Sequence, residues 1–72
     1  MSLTEEQIDR LKMDGLSTID SEKKISTIRT LEAFAEAQSK NKVIDAIMRI
    51  TDSSPRPEVT KAGHESIQRI KG

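Results

Sequence analysis

The residue types able to do chemistry are few in this chain, and their spacing argues against catalysis. His64 is the single histidine, and on a helix it stands one turn from Thr60 and one turn from Gln68. A protein metal site takes three or more good ligands. No cysteine and no second histidine exists to join His64, so neither a metal nor a cofactor is expected. Asp52, Ser54 and His64 supply the three residue types of a hydrolytic triad. Nothing around them resembles a strained nucleophile elbow, and Ser53 and Ser54 stand where a helix cap is needed. Glu5, Glu6 and Asp9 could pass for paired catalytic carboxylates. Acids at a helix start complement the helix dipole, and no apolar pocket is in prospect to raise a pKa. Gly15, Gly63 and Gly72 are isolated, which leaves no glycine-rich phosphate loop. No catalytic residue is assigned, and an enzyme is not expected.

Charge offers a second kind of chemistry. Twelve basic residues balance twelve acidic ones, so the chain as a whole has no net field to draw it towards nucleic acid or an anionic membrane. Its halves differ: residues 1–38 hold five bases and eight acids, residues 39–72 seven bases and four acids, a polarity suited to head-to-tail association. The bases of the second half are Lys40, Lys42, Arg49, Arg56, Lys61, Arg69 and Lys71. Gripping single strands would call for aromatics beside them, yet Phe34 is the sole aromatic and is expected in the core. A recognition helix opening with Pro57-Glu58 would repel phosphates. A small dimeric helical DNA-binding regulator is therefore the alternative reading. Met13 and Met48 are assigned to core filling.

The elements that hold these residues are helical. Thr4-Glu5-Glu6-Gln7 matches a capping box, with Leu3 and Ile8 as its hydrophobic staple. The helix it opens is expected to stop near Gly15, and Leu16–Ile19 to form a connector. Asp20 or Ser21 caps the next helix, in which Ile25, Ile28, Leu31, Phe34 and Ala35 recur at helical spacing. This predicts Ser21–Gln38 as the longest helix. Asn41–Asp52 follows, with Val43, Ile44, Ile47, Met48 and Ile50 covering more than one stripe, the mark of a segment packed on two sides. Ser53–Arg56 is the turn, and Pro57 opens a last helix to Lys71, where its missing amide hydrogen costs nothing. Val59, Ala62, Gly63, Ser66, Ile67 and Ile70 form the inner face of that helix.

The chain repeats. A shift of about 36 residues aligns Ile8 with Ile44, Asp9 with Asp45, Leu11 with Ile47, Glu22 with Glu58, Leu31 with Ile67 and Phe34 with Ile70. A shift of about 33 aligns Glu32 with Glu65 and Phe34 with Ile67. Periods in the range of about 20–50 residues are typical of stacked repeats. Val43-Ile44-Asp45-Ala46-Ile47, Thr51-Asp52, Pro57-Glu58-Val59-Thr60-Lys61-Ala62 and Glu65–Ile70 together resemble the HEAT-like repeat, including the version named after phycobilisome lyases. In this resemblance Glu32-Ala33-Phe34 is the counterpart of the acid–alanine–leucine triplet. Thr60 stands where that family usually has arginine, and Ser26-Thr27 where it has valine and arginine.

The expected fold is thus all-α, one small domain over residues 1–72, with four helices in two stacked antiparallel hairpins, about 4–38 and about 41–71. A four-helix bundle is the alternative. The resemblance implies a non-enzymatic interaction or scaffold module whose second helices line the binding face. Thr60, His64 and Gln68 then face the partner, with Lys61 at the edge. That partner would be another protein or a second copy of the chain, because a 72-residue core is small. With no cysteine, no membrane-spanning run and no basic leader, a cytoplasmic location is expected.

Overall fold

A computed structural model describes residues 4–36 and 38–72. Among these residues the chain forms four helices, α1 (Glu5–Ser17), α2 (Ser21–Ala33), α3 (Lys40–Asp52) and α4 (Pro57–Lys71), and no strand. The Thr4 hydroxyl accepts from the Gln7 amide at 3.2 Å while Gln7 Oε1 accepts from the Thr4 amide at 3.0 Å, the reciprocal pair of a capping box. The staple assigned to Leu3 lies outside the described residues. Asp20 is the cap of α2, its carboxylate accepting from the Glu22 amide at 2.9 Å. Pro57 occupies the first turn of α4, where its fixed φ fits the helix.

Three boundaries differ from the sequence reading, the smallest being the start of α3 at Lys40 rather than Asn41. The first helix does not stop at Gly15 but runs through it to Ser17, and Gly15 is buried within it. Its use is steric, because a Cβ there would stand 2.6 Å from Ile50 Cδ1 and 2.8 Å from Ile50 Cγ1, well inside contact distance. The second helix is not the longest. It ends at Ala33, and the 15-residue α4 exceeds the 13 residues of the others. Local bonds compete with further winding: the Ala35 amide turns back to the Glu32 carbonyl at 3.2 Å, and Ser39 bonds Glu36 through both its amide, at 3.0 Å, and its hydroxyl, at 3.4 Å.

The helices form two antiparallel hairpins, and the hairpins stack. Lys24 near the start of α2 reaches Gly15 near the end of α1, so those two run antiparallel. The Glu5 and Asp9 carboxylates of α1 meet Lys42 at the start of α3, and Glu32 at the end of α2 meets Arg69 at the end of α4. Like helices of the two hairpins therefore lie parallel. Among the described residues α1 packs on α2 and α3, α4 packs on α2 and α3, and α1 does not touch α4. A square up-down-up-down bundle would close α1 against α4, so the packing is that of stacked hairpins.

The core comprises Ile8, Ile28, Leu31, Val43, Ala46, Ile47, Ile50 and Val59, with Leu11, Ile25, Ala35, Ile67 and Ile70 partly buried against it. Each fully buried branched side chain contributes about 1.5–3 kcal/mol. As its broad apolar face requires, α3 buries more residues than any other helix, and like α2 it touches the other three. Five expected core residues lie outside it, of which Ile44 and Ala62 are half-buried. Phe34 is 40% exposed because α2 ends before it, and Met13 and Met48, 59% and 49% exposed, fall beside the buried stripes rather than on them.

Candidate protein interface

Burial exposes the register of the repeat. Ile8 and Val43, Gly15 and Ile50, Lys24 and Val59, Ile28 and Gly63, and Leu31 and Ser66 are all buried, and each pair is 35 residues apart. These five pairs account for every buried residue of α1, α2 and α4. The shift of 36 read from residue identity is thus one residue too long. It matched Ile8 to Ile44, which is only half-buried, whereas Val43 is the residue on the centre of the face. The shift of 33 aligns no two buried residues, and that of 36 only Gly15 with Thr51.

The same register identifies what each position does at the junction between hairpins. The junction is held by Asp9 and Glu5 against Lys42, at 3.9 and 3.7 Å, and by Glu32 against Arg69. In the latter pair Arg69 donates from Nε to Oε2 at 2.8 Å and from its terminal nitrogen to Oε1 at 2.9 Å, while the Ser66 hydroxyl donates to Oε1 at 2.6 Å. Hydrogen bonding by Arg69, helped by Ser66, holds the Glu32 carboxyl below its ordinary pKa against an opposing effect of burial. The Glu32 carboxylate in turn raises the Arg69 guanidinium. In every ion pair crossing the junction among the described residues, hairpin one supplies the acid and hairpin two the base.

Thr60, Lys61, His64 and Gln68 are all brought onto α4, and the structure divides them. Lys61 borders the groove between α2 and α4, a depression of about 330 Å³ lined also by Ile25, Arg29 and Glu65. Thr60 is half-buried, its hydroxyl donating back to the Arg56 carbonyl at 3.4 Å, while His64 and Gln68 are exposed. Counting back 35 residues, Thr60 and His64 correspond to Ile25 and Arg29, which line the groove against α4, and Ile67 corresponds to Glu32. This flank of α4 is therefore the uncovered repeat of the α2 flank that hairpin two covers.

Sequence reasoning missed Lys24. It is buried, at 3% exposure, where the second hairpin has Val59. Its ammonium donates to the Gly15 carbonyl at 2.7 Å and to Ser53 Oγ at 2.7 Å, and the Ser53 hydroxyl donates to the Ile50 carbonyl at 2.6 Å. Those carbonyls belong to the last turns of α1 and α3, at the negative end of each helix dipole, and the Ile50 carbonyl also accepts from the Ser53 amide at 3.2 Å. Lys24 thus locks three elements together. Ser53 belongs to this lock at the end of α3, while α4 has Arg56 at its cap with no side-chain bond. The one available signal was the lysine's position, one helical turn before Ile28 on the inward stripe.

Among the described residues no group of three His, Cys, Asp or Glu could hold a metal ion. No helix among them is long and apolar enough to cross a membrane. Of the bases in the second half, Lys42, Arg49 and Arg69 are engaged by carboxylates. No protein-family model, no curated protein and no solved structure matches the chain.

Proposed function

We propose that this chain is a non-enzymatic protein–protein interaction module of HEAT-like type, binding a polypeptide through the open flank of hairpin two. One observation carries the reading: Thr60, His64 and Ile67 repeat, at 35 residues, the positions Ile25, Arg29 and Glu32 by which hairpin one receives hairpin two. A flank built to the pattern of a covered one is suited to being covered. The bases it would need to grip nucleic acid are partly neutralised, since Lys42 and Arg69 are engaged at the junction. That favours a protein partner over the DNA-binding alternative.

The reading is tested by placing a photo-reactive residue at His64, with Asp52, exposed at the end of α3, as the control position. A discrete polypeptide adduct is expected from position 64 and not from position 52. Alanine at Thr60, His64 and Gln68 together should then weaken affinity for that polypeptide about tenfold or more, a loss of about 1.4 kcal/mol. An unchanged affinity overturns the assignment of the flank.

A further inference from the structure

Among the described residues both ends of this two-hairpin stack are open, and the register of 35 residues states what each end would touch if the stack continued. At the internal junction Glu32 meets Arg69 and Asp9 meets Lys42. The position equivalent to Glu32 on hairpin two is Ile67, and that equivalent to Asp9 is Ile44. On hairpin one, Phe34 is the equivalent of Arg69 and Gln7 that of Lys42. A stack extended by a second copy, with its hairpin one laid on the first copy's hairpin two, therefore brings Ile67 to Phe34 and Ile44 to Gln7.

Residue types change between the junction and the ends. At the covered junction five positions, Glu5, Asp9, Glu32, Lys42 and Arg69, hold ionic residues, whereas of their equivalents at the two ends Ile44, Ile67 and Phe34 are apolar, with Lys40 and Gln7 beside them. Phe34 is 40% exposed, and Ile44 and Ile67 are half-buried. Apolar area left at both complementary ends gains free energy when the ends meet and that area leaves water. The charges agree with the direction. Hairpin one is net acidic and hairpin two net basic, and every junction ion pair among the described residues already runs acid to base in that order. A head-to-tail neighbour sets the basic hairpin two of one copy against the acidic hairpin one of the next, in reversed order but still opposite in sign, while a two-fold pairing of like ends opposes like charges.

We infer that the occupant of the open hairpin-two flank is the hairpin-one end of a second copy of this chain, joined head to tail through Ile67 and Phe34. The inference rests on the interaction reading above and names its partner. Because the two surfaces are different, the contact does not close on itself at a dimer, and each added copy presents a fresh end.

Analytical ultracentrifugation of the whole chain tests it. The wild-type mass rises with concentration from 8.0 kDa through the dimer and beyond. Phe34→Glu blocks one end and Ile67→Glu the other, so each variant alone stays at 8.0 kDa. Mixed in equal amounts, the two retain one matched pair of ends and give a species of twice 8.0 kDa. Should Ile67→Glu lose cooperative unfolding, His64→Glu on the exposed part of the same flank takes its place. The inference is overturned if the wild type stays at 8.0 kDa up to about 1 mM, if Phe34→Glu associates as the wild type does, or if the mixture yields no dimer. A monomeric wild type that still cross-links from position 64 to a different polypeptide ends this inference and leaves the interaction reading standing. A monomer without any polypeptide adduct ends both.

Discussion

Lys24 carries the most structural consequence of any single residue. Its ammonium is buried without a carboxylate beside it, and the groups that receive it are the Gly15 carbonyl and the Ser53 hydroxyl. Truncating it removes a packed stem and takes away the donor to the Gly15 carbonyl and to Ser53 Oγ. Lys24→Ala should therefore lower the unfolding free energy by about 2–4 kcal/mol, measured by urea denaturation. Lys24→Met keeps the stem and removes the charge that had to be desolvated, so it should cost less than half as much. Equal losses from the two substitutions would show that the stem's packing does not matter and that the bridge between helix ends explains the whole effect. Hairpin two makes the opposite choice at the equivalent position, where Val59 is apolar and fully buried and donates nothing to the helix ends.

At the scale of elements, the Glu32–Arg69 pair ties the ends of α2 and α4 and gives the junction a pH response. The folded-state pKa of Glu32 lies below its ordinary value of 4.5. Well above that value the carboxylate is ionised in both folded and unfolded chains, and its contribution is fully present. As pH falls below 4.5 the unfolded chain takes up the proton first, and the contribution is lost as pH passes down through the lowered folded pKa. Glu32→Gln should thus be less stable than wild type near neutral pH, with the gap closing below pH 4.5 in thermal unfolding series. A gap that persists into acid would assign the difference to packing. Much at this scale was legible in the sequence: the four helices, the capping box at Thr4, the turn before Pro57 and the heavy burial of α3 follow from local spacing and cap chemistry. What was not legible depended on partners distant in sequence. Gly15 looks like a helix stop until Ile50 is seen packed against it, Phe34 looks like core until α2 ends one residue earlier, and Lys24 looks solvated until two helix ends converge on it. The repeat was visible, but residue identity set its length one residue long because flanking isoleucines mimic those at the centre of the face.

At the scale of the molecule, the stack of two hairpins has an inside that is well satisfied and ends that are not. Among the described residues no buried side-chain nitrogen or oxygen lacks a hydrogen-bond partner. The ends instead keep apolar residues where the junction uses ionic ones. Small domains of this length bury only about 60% of the surface their unfolded chains expose, so covering an end adds a sizeable share to a modest core. Self-association should therefore raise the thermal unfolding midpoint as protein concentration rises, and a midpoint independent of concentration in calorimetry would count against it. The chain has no cysteine, which makes the geometry of contact directly readable by disulfide trapping. Phe34→Cys and Ile67→Cys variants, mixed and oxidised gently, report whether the two ends meet. In an equal mixture random collision gives 34–34, 34–67 and 67–67 disulfides as 1:2:1, and the 34–67 product is expected well above that twofold share; a 1:2:1 ratio, or preference for a like pair, would contradict head-to-tail stacking.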